Sequence, residues 1–208
     1  MKVKVTRNPE RTSEQILKAA TEEFSEHGFA GARVDAIAAR AGINKRMLYH
    51  YYGNKDDLFL AVMENAYAEI RSHEHELELD RLDPVAAVRE LVNYTFNYFV
   101  DKPSFIRLLN TENLHEARHI KRSKRIPEMH SPLIVQIERV LERGAAAGVL
   151  RTDVDPVQLY ISIASLGYFY LSNIHTLETI FDKDLHAPRA LAGRLAHIED
   201  VVIGYLRP

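Results

Sequence analysis

The stretch that most constrains what this chain can fold into is residues 34–58, VDAIAARAGINKRMLYHYYGNKDDL. Ile37, Ala38 and Ala41 carry the apolar spacing of a short helix. Gly42 permits the left-handed backbone that ends it, and Asn44 is placed to cap the next helix by accepting a bond from an orphan backbone N–H. In that second helix Leu48 and Tyr51 face inward, while Lys45, Arg46, Tyr49 and His50 are left outside. Two short helices joined by a tight glycine turn make a helix-turn-helix, whose second helix reads the major groove. Asn54 then caps a third helix, with Asp56 and Asp57 in its first turn where the helix dipole favours acids.

Residues 37–62, IAARAGINKRMLYHYYGNKDDLFLAV, preceded by ILKAATEEFSEHGFAGARV, strongly resemble the TetR family of one-component transcriptional regulators. The family pattern is IAxxAGVSxxxLYxYFxxKxxL; here Ile43 and Asn44 stand for Val-Ser and Tyr52 for Phe. Arg33 stands where the family has a capping Thr or Ser. Arginine cannot accept that bond, which leaves either a looser helix start or a phosphate contact. The resemblance implies an all-α protein, with a helix-turn-helix head over 1–54 and a helical ligand-binding and dimerisation bundle over 55–208. It implies a homodimer on a palindromic double-stranded DNA operator, released by a small-molecule effector. Arg46 is the expected base reader, because its forked donors match guanine O6 and N7. Tyr49, His50 and Lys55 resemble family positions that touch phosphate, and Arg33, Asn44 and Lys45 complete the expected DNA contacts.

A chain of 208 residues is long enough to bury a sizeable core. Cysteine is absent, so no thiol chemistry is available. The polar start MKVKVTRNPER and the lack of a long apolar run lead to the expectation of a soluble cytoplasmic protein without a membrane partner. Residues 1–55 hold ten Lys/Arg against six acids, which leaves 17 against 23 for the rest of the chain's 27 basic and 29 acidic residues. A basic head on an acidic body is the asymmetry of a protein that meets a polyanion at one end. Lys2, Lys4, Arg7 and Arg11 suit an arm along the phosphates or merely a solubilising tail.

Thr12-Ser13-Glu14-Gln15 reads as a capping box opening the first helix, which Gly28 stops. From Lys55 to about Asp80 one long helix continues, which in the family links head to body. Asp83-Pro84 and Asp155-Pro156 each place a cap before a proline, opening helices near 84–101 and 156–175. Further helices are expected from Pro103 to about Glu116, from near Pro132 to Ala147, and from Pro188 to about Leu206.

On helix 103–116, Phe105, Leu108, Leu109, Glu112 and Asn113 share a face on which an acid and an amide among apolar groups suit a ligand. Tyr94 and Tyr168 are further expected walls, with Tyr98, Met129, Leu133 and Asn173 as weaker ones. A looser likeness of residues 143–173 to repressors of aromatic and N-heterocycle catabolism points to an aromatic effector. His115 and His119, with Glu112 and His130, have metal-ligand spacing, but ten histidines produce such a pair easily and no metal or cofactor is assigned. The run 159–177 is apolar nearly all round and needs covering on all sides. The family covers it with a second copy, so Ser165, Gly167, Ile198 and Val202, with Val201 and Tyr205, are the expected dimer contact. An all-α enzyme or scaffold is the competing class, and no GxGxxG or GxxxxGK[ST] loop supports chemistry.

Overall fold

The structure, a computed structural model, describes residues 9–208, the side chain of His75 excepted. Lys2, Lys4 and Arg7 of the basic arm lie outside the described residues. The elements are ten α-helices with two single 3-10 turns, and no strand occurs among the described residues. The helices are α1 (Pro9–Gly31), α2 (Val34–Arg40), α3 (Lys45–Tyr52), α4 (Lys55–Glu76) and α5 (Pro84–Asp101), followed by α6 (Pro103–Leu114), α7 (Arg125–Ala146), α8 (Pro156–Ser172), α9 (Ile174–Phe181) and α10 (Pro188–Leu206). Among the described residues, no helix is long and apolar enough to cross a membrane.

Local signals place most helix starts. Asn44 accepts from the Met47 N–H at 2.8 Å and Asn54 from the Asp57 N–H at 2.9 Å. Asp83 caps α5 through Val85 and Ala86, and Asp155 caps α8 through Val157 and Gln158. The expected capping box does not form: α1 opens at Pro9, suited to the first turn because it lacks an N–H, and Thr12 is already buried within the helix. Gly28, with φ 65° and ψ 176°, is non-helical and stops the first helical segment where the sequence places its end, a second short segment completing the span to Gly31. Pro132 lies inside α7, which starts seven residues earlier, at Arg125. The expected helix to 175 ends at Ser172, and α9 follows separately.

The described chain forms two compact units. One runs to Tyr67 and takes in Arg107–Ile126; the other comprises Ala68–Ile106 and Pro127–Pro208. The boundary expected at 54/55 differs from this division for a packing reason. Leu58, Phe59, Val62 and Met63 of α4 are fully buried and complete the core that Ile16, Phe24, Ile37 and Leu48 begin. Segment 107–126 is fastened to the same unit by Arg118–Asp56 at 2.5 Å and by the Ser123 hydroxyl on Glu64 at 2.6 Å.

In the second unit α5, α8 and α10 pack on one another. Leu91, Phe96, Ile163 and Ile198 lie in its core with Ile137 of α7. Arg143 near the end of α7 donates to the carbonyls of Leu79, Asp80 and Leu82 at 2.9–3.0 Å, satisfying the turn that follows α4. Asn93 of α5 donates to Glu199 of α10 at 2.6 Å.

Candidate functional site

The helix-turn-helix is held rigid from within. Ala41 and Gly42, the latter at φ 67°, turn the chain so that Leu48 of α3 reaches the core. The Tyr52 phenol lies 2.7 Å from the Ser13 hydroxyl, tying α3 to α1, and burial pushes that phenol's pKa up. Arg33 sits at the N-cap of α2 with no side-chain cap bond. Its N–H instead donates to the buried Glu23 carboxylate at 3.0 Å, and its side chain is exposed.

Of the expected DNA contacts, Arg33, Asn44, Lys45, Arg46, Tyr49 and His50 are all exposed. Their commitments differ. Asn44 Oδ1 is engaged as the cap, and Lys45 pairs with Asp35 at 3.1 Å. Arg46 has no ion pair among the described residues. Lys55 is half-buried, with Nζ 3.4 Å from the Ala30 carbonyl and 4.9 Å from the Phe29 ring centre, and burial lowers its pKa.

The ligand face expected on α6 is divided by the structure. Leu109, Glu112 and Asn113 belong to the first unit, whereas Tyr94, Phe105 and Tyr168 belong to the second. Glu112, expected to fix a ligand, is engaged within its own chain. It is 1% exposed; Oε1 accepts from the N–H groups of His119 and Ile120 at 2.7 and 2.9 Å, and Oε2 from His119 Nδ1 at 2.7 Å. Asn113 faces outward, exposed, and Leu109 is half-buried. Phe105 is core, packed on Tyr98 and Phe99, and the half-buried Tyr94 donates to the Ile70 carbonyl at 3.1 Å. Tyr168 is half-buried.

The second unit does contain a cavity, of about 270 Å³, between α4 and α7. Ala68, Met129, Pro132 and Leu133 give it an apolar wall, and Arg71, Ser72, Glu74 and Gln136 a polar one. Met129 and Leu133 were expected walls; Arg71 and Glu74 were missed. Their signal is a phase: residues 67, 70/71 and 74 continue the apolar face of α4, so the two charges occupy positions that the pattern reserves for burial. Arg71 pairs with Glu74, donates to the Tyr160 hydroxyl at 2.5 Å and lies over that ring. Arg71 Nε and Glu74 Oε1 are buried without a hydrogen-bond partner. Burial pushes the Glu74 carboxyl up to about 7, against the pull of Arg71, and also raises the Tyr160 phenol.

The expected dimer residues separate by side. Ser165 is exposed. Gly167, Ile198 and Val202 are corrected to internal positions, since the two aliphatic side chains are core and a Cβ on Gly167 would stand 3.3 Å from Phe99 and 3.4 Å from Phe96. What remains uncovered on these helices is Val157, Ile161 and Phe169 of α8 with Val201 and Tyr205 of α10.

A head that presents a short exposed helix after a glycine turn, followed by a helical bundle with an open cleft of mixed polarity, suits a one-component helix-turn-helix regulator. Residues 16–62 match the family described as bacterial regulatory proteins, tetR family, and residues 84–202 match the tetracyclin repressor-like C-terminal domain. The HTH-type transcriptional repressor NicS of Pseudomonas putida is 40% identical, over 95% of this chain and 93% of that one. The HTH-type transcriptional regulator RutR of Escherichia coli is 24% identical over 93% of this chain and 89% of its own. The crystal structure of the regulator SCO4942 from Streptomyces coelicolor superposes with a TM-score of 0.70 at 24% identity, covering 95% of this chain and 99% of that one. This chain belongs to the TetR family, and is a ligand-responsive DNA-binding transcriptional regulator, not an enzyme.

The Glu74 shift fixes a sign. A carboxyl raised to about 7 when folded keeps its proton over a range where the unfolded chain, at about 4.5, has lost it. The relative stabilisation is complete below about 4.5 and is lost as pH rises through about 7. Thermal melts at a series of pH values should therefore show wild type losing stability across that window more steeply than Glu74→Gln. Parallel profiles for the two proteins would refute the assignment.

Proposed function

We propose that the protein is a homodimeric cytoplasmic repressor that holds a palindromic operator and is released from it by a small molecule bound between α4 and α7. The observation that carries the reading is the cavity with Arg71 and Glu74 buried in its wall, in a chain whose head is a helix-turn-helix. Repression is supported by the similarity to a repressor over nearly the whole length.

On DNA, Arg46 reads a base edge, while Arg33, Asn44, Lys45, Tyr49 and His50 position the head along the phosphates. Lys55 adds charge at the start of α4, from an ammonium already steered by the Ala30 carbonyl. Selection from random DNA should return a two-fold symmetric site. Arg46→Ala should lose about 1–3 kcal/mol on that site and relax one base pair per half-site. Equal losses on selected and scrambled DNA in anisotropy titrations would remove Arg46 from the reading role.

The dimer contact in this reading is the exposed face of α8 and α10, with Ser165 among Ile161, Phe169, Val201 and Tyr205. Ser165→Glu should convert a dimer to monomer in light scattering, because it buries an unpaired charge in the contact. A wild type that is monomeric at micromolar concentration would sink the proposal.

The effector that complements the cavity is a small, partly aromatic molecule with an acceptor for Arg71 and a donor for Glu74. A compound found by thermal-shift screening and shown to release the operator should bind Arg71→Met about ten- to hundredfold more weakly, the cost of one buried partner. Operator binding without compound should be unchanged. Undiminished affinity in Arg71→Met would place the effector elsewhere.

A further inference from the structure

The end of α9 and the loop into α10 gather three groups that neither DNA recognition nor the effector cavity uses. His175 and Glu178 are three residues apart, so they project from one side of α9. The chain then reverses at Asp182, in the left-handed region at φ 50°, and brings His186 back alongside them. Glu178 Oε1 lies 2.8 Å from His186 Nδ1, and Oε2 lies 3.9 Å from His175 Nδ1. The two imidazole centres are 5.2 Å apart. One ligand atom from each of the three residues lies within 4.8 Å of the other two.

The carboxylate is oriented before any ligand arrives. Glu178 Oε1 also accepts from the N–H groups of Leu185 at 2.9 Å and His186 at 3.2 Å. Asp184 holds the same loop through the N–H groups of His186 and Ala187. The imidazoles face water, with the His175 side chain 82% and that of His186 51% exposed, so core packing does not account for their convergence.

The geometry points to a divalent transition-metal site formed by His175, Glu178 and His186. Two imidazoles and one carboxylate are a donor set that Zn²⁺ takes, and imidazole also suits Ni²⁺ and Cu²⁺. Mg²⁺ and Ca²⁺ want six or more oxygens, and this set contains one carboxylate. With bonds of about 2.0–2.1 Å, tetrahedral donors stand roughly 3.3 Å apart. The 2.8 Å pair on Oε1 opens, the 3.9 Å pair on Oε2 closes, and the two ring nitrogens draw together from within 4.8 Å, through rotations of the exposed histidine side chains. Water takes the fourth position. The bound ion joins the end of α9 to the segment entering α10, adding to the hydrogen bonds that Glu178 already makes there.

A second grouping, Glu23, Glu26 and His27, brings ligand atoms equally close but already holds a cation. The Arg40 guanidinium lies 3.2–3.6 Å from Glu22, Glu23 and Glu26, and Glu23 Oε1 is spent on the Arg33 N–H. At α9 the ion-pair partners of Glu178 are the two histidines.

The test is calorimetric titration of tag-free, chelator-treated full-length protein with Zn²⁺, and with Mg²⁺ for comparison. Wild type should bind one Zn²⁺ per chain at micromolar concentration, with a rise in melting temperature, and ignore Mg²⁺. His175→Ala, whose ring is exposed and holds no part of the loop, should keep its helical circular dichroism and lose about tenfold or more in Zn²⁺ affinity. Absence of Zn²⁺ binding in wild type, equal Zn²⁺ affinity in wild type and His175→Ala, or Mg²⁺ bound as tightly as Zn²⁺ would each overturn the proposal.

Discussion

Burying a carboxylate costs several kcal/mol unless donors meet it, and at Glu112 three do. They are available because the chain reverses just after α6: Glu116 and Ala117 both take left-handed backbone, at φ 56° and 59°, and return the N–H groups of His119 and Ile120 to the last turn of the helix. That return also sets the His119 ring, whose centre lies 4.6 Å from Phe29 and 4.7 Å from Phe59. Phe59 in turn meets Phe24 edge-on at 4.9 Å. A single acid thereby fixes a loop, the loop fixes an imidazole, and the imidazole closes the aromatic cluster beneath the helix-turn-helix. The head of this regulator is thus built from two stretches of chain separated by 39 residues of the other unit.

The surface of that head sorts its cations by what they already hold. Arg40 is engaged by three glutamates, which raise its pKa, Lys45 by Asp35, and Lys55 by a carbonyl and a ring. Those partners bias where the side chains lie on the free head. Arg46 projects from the same reading helix without such a pair among the described residues, and its five donors are unspent. A guanidinium fork committed to an internal acid has fewer donors left for a base edge than one that is not.

Short-range devices were legible in the sequence because both partners lie within three residues. Asn44, Asn54, Asp83 and Asp155 all cap where the sequence placed them. Thr12 misled because a proline three residues earlier could start the same helix. Longer-range roles were ambiguous for a different reason. Periodicity identifies a face but not what covers it: Glu112 lies on the buried side of α6, and the following loop supplies three donors to it. Gly167, Ile198 and Val202 likewise need apolar cover, and α5 and its neighbours provide it within the subunit. Ser165 and Val201, two residues and one residue away, turn to the uncovered side. Arg71 and Glu74 were readable in principle, as charges in phase with a buried stripe.

Pro132 stands in the interior of α7 and in the wall of the cavity at once. Proline has no N–H to offer the carbonyl of Glu128 four residues back, and its ring crowds that carbonyl. One rung of the helix is therefore missing beside Met129, Leu133 and Gln136. One fewer hydrogen bond holds α7 straight at this turn than elsewhere along its interior. The cleft wall contributed by α7 therefore carries its missing rung at Pro132, beside the side chains that line it.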